Sequence, residues 1–99
     1  KEYLPKRIEE LANKFNFKYN NLSFKVAKTR WGSCSYNNNI NLNINLMTLS
    51  DKMIDYVLIH ELCHTKVKSH SEKFWNLVEK CMPEYKEVRK KLKQIKTII

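Results

Sequence analysis

From Tyr3 to Phe15 the apolar residues Leu4, Ile8, Leu11, Ala12 and Phe15 recur at the spacing of one helical face, which predicts an amphipathic helix. Asn13, Asn16 and Asn20-Asn21 break that pattern. Leu22, Phe24 and Val26 then alternate with Ser23, Lys25 and Ala27, as in a half-buried strand. A short polar segment around Trp31, Arg30 to Ser35, reads as a second strand. Asn37-Asn38-Asn39 suits the positive φ of a tight hairpin turn, and it leads into Ile40, Leu42, Ile44 and Leu46 alternating with asparagines. This is the clearest strand of the chain. At Ser50-Asp51, a good N-cap pair, the period changes, and Met53 to Val67 is apolar on nearly every side. The polar run Thr65 to Ser69 is a plausible stop. Ser69 with Glu72 resembles a capping box for a helix to Cys81 that turns Phe74, Leu77 and Val78 inward. Pro83 opens a last helix with Val88, Leu92 and Ile95 inside and Lys86, Arg89, Lys90, Lys93 and Lys96 outside. The predicted order is α-β-β-β-α-α-α, an α+β fold.

A helix that is apolar all round is buried, so its polar residues stand out. His60, Glu61 and His64 form the pattern H-E-x-x-H, and burying them without partners would cost several kcal/mol. A bound cation offsets that cost. Residues four apart return to one helical face about 6 Å further on, so both imidazoles can reach one ion at about 2.0–2.1 Å. Glu61, turned about 100° from His60, can reach a water at that ion without being a ligand. All three histidines lie between positions 60 and 70. A continuous helix would carry His70 about 240° around and about 9 Å beyond His64, so it joins the site only if the helix stops first. His70 would then enter from the first turn of the next helix. The alternative is that His70 merely caps that helix and Glu79 supplies the third ligand.

Zinc on three protein ligands keeps a position for water and lowers its pKa toward neutrality; Glu61 would take that water's proton and pass it to a leaving nitrogen. Arg30 and Tyr85 are the candidate oxyanion stabilisers. Gly32 is the sole glycine, within Thr29-Arg30-Trp31-Gly32-Ser33-Cys34-Ser35. It marks either an edge strand beside the cleft, where a peptide pairs with Arg30, Trp31 and Gly32, or room made for a core-anchoring Trp31.

With 99 residues, 42% of them hydrophobic, the chain suffices for one core and one domain, 1–99. No stretch has the length of a membrane span and Lys1 does not open a signal peptide, so the expectation is a cytoplasmic protein; the missing initiator Met suggests a piece of a longer one. Cys34, Cys63 and Cys81 are odd in number and lack C-x-x-C spacing, which argues for reduced thiols. Cys63, on the histidine helix, most simply packs the core. The net charge of +9 attracts anionic partners, nucleic acid among them, although a Lys-rich surface also serves solubility.

Thr29-Arg30-Trp31-Gly32-Ser33-Cys34-Ser35, Asn39 to Asn43, Asp55-Tyr56-Val57, His60 to His64 and His70-Ser71 with Phe74-Trp75 together resemble the YgjP-like metal-dependent hydrolases, relatives of the SprT-like and other small zincin metallopeptidases. The resemblance covers Val26 to Leu92. It implies a minimal zincin domain with a small sheet on the active-site helix, zinc on His60, His64 and His70, and a catalytic Glu61. Metzincins share the histidine spacing but place a glycine where this chain has Val67, and no Met-turn follows.

The leading function is therefore a zinc peptidase acting on protein or peptide. A metal-dependent nucleotide pyrophosphohydrolase is the alternative, made less attractive by only two Asp for a hard cation. A third reading is a metal-stabilised module that binds DNA or protein without turnover. Oligomeric state is open.

Overall fold

The computed structural model describes residues 3–95. Lys1 and Lys96, both part of the reading above, lie outside them. The elements are α1 (Tyr3–Phe15), β1 (Asn21–Lys25), β2 (Gly32–Cys34), β3 (Asn39–Asn43), a 3-10 helix (Ile44–Thr48), α2 (Asp51–Cys63), α3 (Glu72–Cys81) and α4 (Tyr85–Lys93). This is the expected order.

α1 buries the predicted stripe of Leu4, Ile8, Leu11 and Ala12. It ends where Asn16 takes a φ of 64°, a left-handed conformation that Asn tolerates. Arg7 then ties α1 to α2 through a two-point contact with Asp55, at 2.8 and 2.7 Å.

The sheet has the order β1-β3-β2, with β1 parallel and β2 antiparallel to β3. The β2–β3 hairpin turns at Asn38, with φ 66°, as the asparagine run predicts. Because β3 is central, β2 is an edge strand. All three strands are shorter than expected. Val26 falls beyond β1 and is 63% exposed, and Arg30 and Trp31 precede β2 in a loop. β3 also stops early, at Asn43 rather than Leu46. Its side chain accepts from Asn45 N at 3.0 Å and caps the 3-10 helix, which swings Leu46 into the core and leaves Ile44 39% exposed. Strict alternation could not foresee a local cap that breaks the ladder.

α2 begins as predicted, with Ser50 Oγ accepting from Met53 N. It is the central element, burying Ile54, Val57, Leu58, Ile59, Leu62 and Cys63. Each such aliphatic side chain contributes about 1.5–3 kcal/mol of burial. The helix closes at Cys63, four residues before the expected Val67. His64 is its C-cap, and Thr65 Oγ1 takes the Leu62 carbonyl at 2.6 Å. The capping box is also corrected: Ser71, not Ser69, is the N-cap of α3, and it makes no side-chain cap bond. α4 starts at Tyr85, two residues after Pro83. Val88 and Leu92 are buried as expected, whereas Ile95 is 40% exposed.

Candidate metal centre

His60 and His64 project from the last turn of α2. His70 comes from the connector just before α3, not from its first turn. The early end of α2 makes this reach short, since Val67 N turns back to the Cys63 carbonyl at 2.9 Å. Lys68 then pins the connector to the β2–β3 hairpin, donating to the Ser35 carbonyl at 3.0 Å and to Asn38 Oδ1. Three nitrogens converge as a result. His70 Nε2 lies 3.1 Å from His64 Nε2 and 3.3 Å from His60 Nε2.

These distances test the fit of a metal. Two nitrogens on one tetrahedral zinc, each about 2.0–2.1 Å from it, stand about 3.3 Å apart. The observed spacing is that of a ligand set. His64 Nδ1 also faces the Val67 carbonyl at 2.9 Å, which places its proton there and leaves Nε2 free to coordinate. His60 Nδ1 faces the Tyr56 hydroxyl at 3.4 Å. Glu79, the alternative ligand, is exposed and outside the cluster.

An aromatic floor holds the imidazoles. Phe74 stacks on His64 with centroids 4.3 Å apart and meets His60 edge-on at 5.0 Å. Trp75 lies against His60 and His70 on one side and stacks on Tyr85 at 5.4 Å. Burial pushes the His60 pKa down to about 3, reinforced by His64, His70 and Arg89. His64 is lowered too, mainly by burial and partly opposed by the Val67 carbonyl. Both imidazoles are thereby kept neutral, the form that binds metal.

Glu61 is 6% exposed, and burial raises its pKa to about 7 against the pull of Arg30. Gly32 is what admits it. A Cβ at position 32 would lie 3.2 Å from Glu61 Cγ, 3.2 Å from the Asn41 carbonyl oxygen and 3.3 Å from Leu42 Cδ2. The glycine makes room for this carboxylate and the sheet, rather than for Trp31, and β2 thus lies directly beside it.

Two cavities flank the triad. One, of about 420 Å³, is polar and includes Ser33, Cys34, Lys68 and His70. The other, of about 310 Å³, is bounded by Trp31, Tyr56, Arg89 and the end of α4. Arg30, Gly32, His60 and Glu61 line both. Tyr85 lines neither: it is 8% exposed and stacked on Trp75, so its place is structural. Cys63 is fully buried, as a packing thiol would be.

Three contributors escape a reading of periodicity. Asn43 sits in phase with the half-buried Asn41 yet is 2% exposed, its Nδ2 donating to the Ala27 and Arg30 carbonyls at 2.9 Å each. It holds the loop that carries Arg30 and Trp31. Tyr56 looks like one more core residue, although its hydroxyl faces His60. Arg89 looks like a solvated charge, but its guanidinium lies 4.9 Å from the Trp75 ring centroid. Its i+4 spacing from Tyr85 was the available signal.

None of the described helices is long and apolar enough to cross a membrane. Among curated proteins, none matches the chain significantly. Two solved structures share the fold at 24% identity. The metallopeptidase zymogen of Pyrococcus abyssi abylysin aligns with a TM-score of 0.81 over 96% of this chain and 99% of its own. That of Methanocaldococcus jannaschii jannalysin gives 0.79 over 92% and 94%. The YgjP-like metallopeptidase domain matches residues 1–95, nearly the whole chain. A metal-dependent hydrolase fold, a three-histidine cluster and this match agree: the chain belongs to the YgjP-like metallopeptidase family.

Proposed function

We propose that the chain is a zinc peptidase in which His60, His64 and His70 hold the metal and Glu61 is the general base. The observation that carries this reading is that His70 Nε2 lies 3.1 Å from His64 Nε2 and 3.3 Å from His60 Nε2, with all three within 4.8 Å of one another, beside a buried carboxylate. An all-imidazole donor set favours zinc over magnesium, which also weighs against the phosphohydrolase alternative. Zinc bound there would polarise the scissile carbonyl and acidify a water.

The chain's own residues supply the rest. The free edge of β2 offers backbone groups to an extended peptide, aligning its scissile bond over the histidines. Glu61, buried beside the histidines, accepts the proton of the attacking water and returns it to the leaving nitrogen. Arg30, present in both cavities, is the candidate donor to the developing oxyanion; the buried Tyr85 is set aside for that role. Free thiols at Cys34, Cys63 and Cys81 support a reducing, cytoplasmic setting.

Purified protein loaded with zinc is expected to cleave an unfolded protein. Chelation should abolish cleavage, zinc should restore it, and Glu61→Gln should lower kcat by about 10²–10⁴ while retaining the metal. Equal turnover by wild type and Glu61→Gln overturns the assignment. Zinc stoichiometry in His70→Ala, read by elemental analysis, tests the third ligand.

A further inference from the structure

The cavity of about 310 Å³ on the α4 side of His60 has a composition that a general peptide cleft does not need. Three cations line it, Arg30, Arg89 and Lys93, together with the apolar Trp31, Leu92 and Ile95. Its single carboxylate is Glu61 itself. None of the three cations forms an ion pair with a carboxylate among the described residues, where the bridges are Arg7–Glu10, Arg7–Asp55 and Lys52–Glu84. Like charges gathered in one pocket repel, and an anion relieves that repulsion.

Arg89 is also pre-positioned. Its guanidinium carbon lies 4.9 Å from the Trp75 ring centroid, and Trp75 is itself held by its stack on Tyr85, with planes 14° apart. A guanidinium resting on an aromatic face presents its N–H edge in plane, here partly toward the Tyr56 hydroxyl in the same cavity, in the planar geometry that matches a carboxylate. Stacking removes side-chain freedom in advance, so less is lost when a ligand arrives.

We infer that this pocket is a carboxylate-binding subsite, so that the enzyme prefers a peptide carrying a carboxylate next to the bond it cleaves. Arg89 is the principal receptor, Lys93 supplies further positive potential at the rim, and Trp31, Leu92 and Ile95 cover the methylenes of a Glu-length side chain. The carboxylate comes either from an acidic side chain or from the peptide's own C-terminus. The inference rests on the peptidase reading for its consequence in turnover, but the binding preference is separable from it.

The experiment uses internally quenched peptides of constant sequence with Glu, Gln or Lys next to the cleaved bond and a blocked C-terminus. A further Gln peptide ends there in a free carboxylate. Turnover is measured with the zinc-loaded protein, and binding of the same peptides with zinc-loaded Glu61→Gln. The expected kcat/KM order is Glu over Gln over Lys, with Glu ahead of Gln by on the order of tenfold at low salt and less at high salt. The free-carboxylate peptide tells whether a terminus serves as well as a side chain. The Glu/Gln ratio should fall toward one in Arg89→Gln. Because Arg89 also packs on Trp75, Lys93→Glu provides the second variant: it is exposed, and it should lower the ratio as well. Turnover with equal rates for Glu, Gln and Lys peptides overturns the subsite and leaves the peptidase standing. Preferential binding of carboxylate peptides without turnover of any peptide supports the subsite and overturns the peptidase.

Discussion

At the scale of single residues, Gly32 and Asn43 govern where the reactive groups stand. Gly32 has no unusual φ, so its requirement is steric: a methyl group there meets Glu61 Cγ and the Asn41 carbonyl, both at 3.2 Å. Of these, the Glu61 side chain yields more easily than sheet backbone. Gly32→Ala is therefore expected to displace the carboxylate by a few tenths of an ångström, lowering kcat about tenfold or more with only a modest loss of stability. Parallel measurement of kcat and thermal midpoint checks this; unchanged kcat would refute it. Asn43 acts on the loop that leads into Gly32. Its amide serves two carbonyls in part-buried bonds, and Asn43→Ala removes that donor from both, at a cost of about 0.5–1.5 kcal/mol per bond. The Arg30 loop should loosen, which denaturant unfolding and a raised KM would register together.

Among the elements, the connector between α2 and α3 decides whether two histidines become three. The requirement that α2 end before His70 follows from helix geometry alone, and the order of elements follows from the two periodicities. The place of the break does not. The polar run Thr65 to Ser69 marks a stop, but the apolar pattern carries on to Val67, and the end is fixed earlier by the Thr65 hydroxyl on the Leu62 carbonyl, with Lys68 reaching across to Ser35 and Asn38. The first is a local turn bond and the second a tertiary one, and neither leaves a trace in the apolar spacing. The same limit hid the pocket: Arg89 and Trp31 lie 58 positions apart in sequence and line one cavity only because α4 and β2 both pack on α2. Conversely, His60, Glu61, His64 and Gly32 were legible, because each violates the pattern around it. Lys68→Ala should free the connector and weaken zinc binding by about tenfold, the lower end of what ligand-supporting contacts contribute. A chelator competition measures it. Affinity equal to wild type would show that His70 is held by Phe74 and Trp75 alone.

For the whole molecule, the metal-free protein must bury a neutral His60 and a protonated Glu61, and the two set opposite pH slopes. Between the ordinary His value of 6.5 and about 3, the unfolded chain binds a proton at residue 60 that the folded chain refuses, so stability falls as pH falls. Between the ordinary Glu value of 4.5 and about 7, the folded chain holds a proton at residue 61 that the unfolded chain has released, so stability falls as pH rises. Over 4.5 to 6.5 the two oppose each other, and each acts unopposed outside that window. Zinc removes the second slope, because a cation beside Glu61 favours its ionised form and binding then releases its proton. The gap between zinc-loaded and metal-free thermal midpoints should accordingly widen as pH rises from about 5 to 7 and level off above. Glu61→Gln carries no such proton, so its gap should lose the Glu61 part of that rise while zinc still binds. Scanning calorimetry of both proteins across this range, with and without zinc, separates the outcomes. An identical rise in both would assign the slope to the histidines and detach Glu61 from the metal's field, and with it the case for Glu61 as the base.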